Sequence, residues 1–120
     1  MPTILHITTA STWKTVQQQG IYEPESLTTE GFIHTSTIDQ VLTVAEKFFS
    51  DVPDLVLLVI NTERVKPEIR YEQGTHDTDD NVEKFPHIYG PLNLDAIVIA
   101  VPLQPEVDGT FTLPTLPLIP

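Results

Sequence analysis

Three of the four histidines stand where strands would end: His6 in TILHITT, His34 in GFIHTST and His87 in KFPHIYGP. A buried imidazole must find a partner for each nitrogen, so an apolar core has little use for one. Three such rings on ordered elements point to a shared polar site. The fourth, His76, sits in an acidic loop.

Each of the three histidines has neighbours able to do chemistry. In GFIHTST the chain passes from a strand into a helix start, carrying His34, Thr35, Ser36 and Thr37. Free amides there favour an anion or a polarised oxygen; Ser36 and Thr37 equally suit plain capping. Further on, Arg70, Tyr71 and Glu72 are consecutive. Strand alternation puts Arg70 and Glu72 on one face. They read either as a surface ion pair or, beside a pocket, as an anion ligand and an acid, base or cation stabiliser. In FPHIYGPL, Pro86 and the Gly90-Pro91 pair frame His87 and Tyr89. Rigid framing suits a binding site, and it suits a structural turn with Tyr89 in the core. The histidines show none of the local spacings of a metal site, so no metal is expected. No phosphate-cradling glycine loop or nucleophile elbow is present.

These side chains need elements to hold them. Thr3 to Thr9 reads as a first strand. A short helix capped by Thr9 or Ser11 follows, burying Trp13 and Val16 and ending at Gly20. Ile21 to Glu30 reads as irregular, and Phe32 to Thr35 as a short strand. Ile38, Val41, Leu42, Ala45, Phe48 and Phe49 recur at helical spacing after a Ser36 or Thr37 cap, with the helix ending near Ser50. Leu55 to Ile60 reads as a central strand buried on both faces, Ile69 to Tyr71 as another strand, and Ala96 to Val101 as a second buried one. Gln73 to Lys84 reads as an acidic loop. Many strands and two helices make an α+β domain.

The chain has 120 residues, which fits one domain. Residues 1–103 read as that domain. Residues 104–120 read as a proline-rich extension packed along the body. Cysteine is absent, which excludes disulfides and thiolate chemistry. The net charge is −11, with 6 Lys plus Arg against 17 Asp plus Glu, so a long nucleic acid is an unsuitable partner. A small anionic ligand is not, because one or two arginines suffice. No apolar run is long enough for a membrane span, and the N-terminus lacks a signal pattern, so a cytoplasmic protein is expected. The sequence leaves the oligomeric state open.

LHITT, GFIHTST, PDLVLLVI, RYE and FPHIYGPL, in that order, resemble the bacterial domain of unknown function 952 family over about Ile4 to Leu103. That family looks like an outlying branch of the ADP-ribosyltransferase-like fold, which also holds the RNA 2′-phosphotransferases. The resemblance implies split, mostly antiparallel sheets with an NAD cleft between them. It implies that His6 holds NAD, that His34 to Thr37 form the strand-to-helix segment of the cleft, and that Glu72 stabilises the cationic sugar.

Two functions are therefore carried forward. One is an enzyme acting on NAD or a related ribose-phosphate compound, by ADP-ribosyl or phosphoryl transfer. Glu72, His34 and His87 would be catalytic, and His6, Thr8, Ser36, Thr37, Arg70 and Tyr89 would bind substrate. The other is a non-catalytic domain that binds a nucleotide or small anion. Fold alone does not separate them.

Overall fold

A computed structural model describes residues 3–73 and 83–116. Strand β1 is Thr3–Thr9 and leads directly into helix α1, Ala10–Gln19. The Thr9 hydroxyl accepts from the Thr12 amide at the N-cap. Gly20 ends the helix at φ 83°, a left-handed turn that glycine adopts without a Cβ penalty. Val16 is buried and Trp13 packs beside it, as the helical spacing requires.

Ile21 to Glu30 is more ordered than its polar composition suggests. It holds a two-residue strand β2, Ile21–Tyr22, and one helical turn α2, Ser26–Thr29. Elements this short leave no periodicity to read. Strand β3, Ile33–His34, follows. The next helix, α3, is Val41–Phe48, later than expected from the candidate caps. Its N-cap is Gln40, not Ser36 or Thr37, and the Gln40 Oε1 accepts from the Thr37 amide at 3.0 Å. Ile38 and Phe48, expected in the buried stripe, are exposed.

Strand β4, Leu55–Asn61, is the centre of the first sheet, between β1 and the last strand β8, Ile97–Leu103. Both pairings are antiparallel. Leu55 to Ile60 are all buried, as a continuous apolar run demands. One face packs Ile4, Leu58 and Ile60 with Val16 of α1. The other packs Leu5, Leu57 and Val59 with Val41 and Ala45 of α3. Strand β8 corrects the expectation of a second fully buried strand. It is an edge, with Val98 and Ile99 exposed beside an irregularity in the pairing. Its apolar residues lie where only one neighbour covers them. Phe111, beyond β8, is buried in the α3 cluster.

The second sheet has the order β3-β6-β5, with β5 Glu68–Gln73 and β6 Lys84–Tyr89. A small ribbon pairs β2 with β7, Leu92–Asn93. Gln73 and Lys84, read as loop ends, are paired strand residues. The segment 74–82 between them, including His76, lies outside the described residues. Pro86 sits inside β6, the middle strand, where proline is unusual. In an antiparallel strand the nitrogen and carbonyl of one residue point to the same neighbour. The Pro86 carbonyl accepts from the Thr35 amide, so the missing donor faces β3, where the ladder ends after His34. Gly90 turns the chain out of β6 at φ 152°, and a Cβ there would meet Pro67 at 3.1 Å. Leu5 and Ser36 exchange two backbone hydrogen bonds of 2.8 Å, which join the two sheets edge to edge. The fold is thus α+β with mostly antiparallel sheets and few helices.

Candidate functional site

Alternation in the second sheet separates two faces. Ile33, Ile69 and Ile88 point inward and join the core cluster of Ile4 and Leu58. The opposite face carries Phe32 and His34 from the β3 segment, Arg70 and Glu72 from β5, and His87 and Tyr89 from β6. His34 is the register partner of His87, and His87 of Arg70. The His34 and His87 rings lie edge to face with centroids 5.7 Å apart.

Each of these two rings has a carboxylate. The His87 Nδ1–H donates to Glu72 Oε1 at 2.9 Å, and the His34 Nε2–H donates to Glu30 Oε2 at 2.8 Å. The Tyr89 hydroxyl also donates to Glu72 Oε1. That hydroxyl, and then the His87 ring, hold the Glu72 carboxyl below the usual carboxylate range. The hydrogen bond to Glu72 in turn raises Tyr89 above the usual phenol value. Arg70 lies over the Tyr89 ring at 4.5 Å and pairs with Glu68 on its own strand.

Exposure separates the two histidines. The His87 side chain is 2% exposed, stacked on Phe32 with centroids 4.0 Å apart, while His34 is 39% exposed. Because Nδ1 gives its proton to Glu72, a neutral His87 carries its lone pair on Nε2. That nitrogen has no hydrogen-bond partner among the described residues.

His6 stands at the junction of the sheets and is satisfied twice. Its Nδ1–H donates to the His34 carbonyl at 2.5 Å, and its Nε2 accepts from the Tyr22 hydroxyl at 2.6 Å. The Thr8 side chain lies near the same hydroxyl and partly offsets the upward push of burial on Tyr22. Burial pushes His6 down to about 4, against a partial gain from the His34 carbonyl, so the ring is neutral at pH 7. The structure therefore gathers His34, His87, Glu72, Arg70 and Tyr89 on one face. His6 and Thr8 form an adjoining network under His34. Ser36 serves the sheet junction through its backbone, and the Thr37 amide is occupied by Gln40.

Sequence reasoning missed Phe32, Glu30, Tyr22 and Gln40. Phe32 and His34 are two apart on an extended segment, and Glu30 is four before His34, so those two were findable. Tyr22 lies on a strand too short to leave a pattern. Among the described residues, no cluster of His and carboxylates has the makings of a metal site. None of their helices is long and apolar enough to cross a membrane.

Comparison with known proteins gives a family and a fold but no chemistry. No curated protein matches the chain. A crystal structure of protein CC0527 from Caulobacter crescentus is 26% identical, with a TM-score of 0.77, covering 92% of this chain and 93% of that one. A solution NMR structure of the same protein gives 28% identity and a TM-score of 0.75, covering 92% and 91%. Residues 7–100 match the model of the family described as protein of unknown function DUF952, and the chain belongs to that family.

Proposed function

We propose that the protein is an enzyme acting on NAD or a related ribose-phosphate compound, by ADP-ribosyl or phosphoryl transfer. The observation that carries this reading is His87 Nε2. It is a basic nitrogen in a ring 2% exposed, oriented by a carboxylate through the opposite nitrogen. A buried acceptor with no donor among the described residues costs free energy, and a bound hydroxyl removes that cost. A ribose hydroxyl is such a donor. Glu72 keeps the ring in the tautomer that presents Nε2 and supplies a negative charge fixed in advance. Arg70, 51% exposed, is the basic side chain that β5 and β6 turn to this face, and a phosphate would compete with Glu68 for it. The two antiparallel sheets joined edge to edge suit the ADP-ribosyltransferase-like arrangement implied by the sequence resemblance.

Calorimetry with NAD, ADP-ribose and nucleoside phosphates tests the binding half of the proposal, and product analysis tests turnover. Glu72→Gln keeps an acceptor for His87 Nδ1–H but removes the charge. Affinity should stay within a few-fold, while turnover falls about a hundredfold. An active wild type whose Glu72→Gln variant is equally fast would sink the mechanism. Binding without turnover of any of these compounds would leave a non-catalytic ligand-binding domain. No binding at all would overturn the ribose-phosphate reading.

A further inference from the structure

Tyr89 does not stand up from its sheet. Its register partner on β5 is Glu68, yet its hydroxyl donates to Glu72, four residues further along that strand and about 13 Å away. The two side chains must therefore lean toward each other along the face. The paired Arg70 and His87 lie between them. The Arg70 guanidinium rests on the Tyr89 ring, 4.5 Å from its centroid, and Phe32 packs on the same ring at 5.4 Å. The hydroxyl meets Glu72 Oε1, the same oxygen that accepts from His87 Nδ1.

One side chain thus touches two different parts of the site. Glu72 is 37% exposed while the His87 ring it orients is 2% exposed. A single hydrogen bond would leave so open a carboxylate able to turn toward water or toward Arg70, whose charge also acts on it. A second donor on the same oxygen holds it in place. The ring does the same for the exposed Arg70, whose planar guanidinium stacks on aromatic faces. We propose that Tyr89 is a positioning residue, whose hydroxyl locks Glu72 against His87 and whose ring seats Arg70, so that the base and the anion ligand stand at a fixed spacing. This replaces the substrate-binding role expected from the sequence. It rests on the ribose-phosphate reading for what the two groups then hold. No bond of the substrate is made or broken at Tyr89.

The test separates hydroxyl from ring. Tyr89→Phe keeps the ring and removes the donor, and Tyr89→Leu removes both. Carbon-13 NMR of the Glu72 carboxyl needs no substrate. The Tyr89 hydroxyl is the largest influence holding that carboxyl below its usual range, ahead of His87. The other charges around it, on Arg70 and Glu68, are the same in every variant. Its titration should therefore move up in Tyr89→Phe and stay in place in Tyr71→Phe, a change on the opposite face of β5. With whichever of NAD and the nucleoside phosphates is turned over, Tyr89→Phe should lower kcat about tenfold and keep ADP-ribose affinity within about twofold. Tyr89→Leu should also weaken ADP-ribose binding about fivefold, because the guanidinium loses its seat. An unmoved Glu72 titration, or a kcat equal to wild type in Tyr89→Phe, would overturn the inference. Equal affinities in Tyr89→Phe and Tyr89→Leu would overturn the role of the ring. A wild type that binds none of these compounds would overturn the ribose-phosphate reading, and the titration alone would then decide whether Tyr89 holds Glu72.

Discussion

The two three-stranded sheets share one core but face opposite surroundings. In the first, β4 is covered on both sides, by α1 and by α3, and every residue from Leu55 to Ile60 is buried. In the second, only the Ile33, Ile69 and Ile88 face is covered by the core. Its other face carries two histidines, two carboxylates on its rim and a tyrosine. Most polar groups on a half-covered face keep access to solvent and escape a full desolvation cost, and the enclosed one, His87, is compensated by the Glu72 carboxylate. The best-covered strand lies in the first sheet and the candidate site in the second.

The strongest challenge to that division is Leu58→Ala. Leu58 is fully buried at the centre of β4, paired with His6 on one side and Ala100 on the other. A cavity there should cost about 3 kcal/mol. Urea unfolding measures it, and ligand affinity per folded molecule should be unchanged. A loss below about 1 kcal/mol would show that β4 is not the stabilising centre.

His6 is the hinge of the comparison, because its ring bonds belong to neither extreme. It is held neutral, with a folded value of about 4 against an ordinary 6.5. The unfolded chain binds the extra proton first. The resulting stability is fully present above about pH 6.5 and is lost as pH falls from there through about 4, up to about 3 kcal/mol in all. Replacing His6 by Gln removes that titration. The difference in unfolding free energy between wild type and His6→Gln should therefore shrink by that amount between pH 7 and pH 4. Subtraction cancels the carboxylates, including Glu72 and Glu68, whose lowered values add their own acid sensitivity in both proteins. A difference independent of pH would mean that His6 takes up its proton as readily in the folded chain as in the unfolded one, and would overturn the buried, neutral reading.

The same contrast explains what was legible in the sequence. β4 was readable because burial on two faces leaves an unbroken apolar run, and α1 because Thr9 and Gly20 mark its ends. His34, His87 and Glu72 stood out by residue type, but their convergence with Tyr89 depends on the pairing of β3 with β6 and of β6 with β5, which strand identity alone does not fix. β2 and α2 were not readable, since two and four residues carry no period. The start of α3 was misread because Ser36 and Thr37 have the right hydroxyls, while the amide of Thr37 is served by the later Gln40. β8 was misread because its apolar composition does not tell a central strand from an edge. The saturation of His6 was beyond reach, because it depends on Tyr22, brought in by pairing with Leu92.

The smallest stability effect should come from Arg70→Ala, and it tests the division from the other side. Arg70 is 51% exposed and its partner Glu68 is 61% exposed, two residues away on the same strand. An ion pair so open to water contributes little, since solvent screens it and two long side chains must be held still. The lost stacking on Tyr89 is partial for the same reason. The unfolding midpoint should therefore stay within about 2 °C of wild type. Ligand binding should respond far more. If a phosphate displaces Glu68 from the guanidinium, losing that group should weaken ADP-ribose binding about tenfold or more. The loss should diminish as salt rises, because the site is exposed to screening. Calorimetry at two ionic strengths, beside thermal melts of both proteins, measures each part. A variant that melts as early as Leu58→Ala while binding normally would reverse the assignment of stability and chemistry between the two sheets.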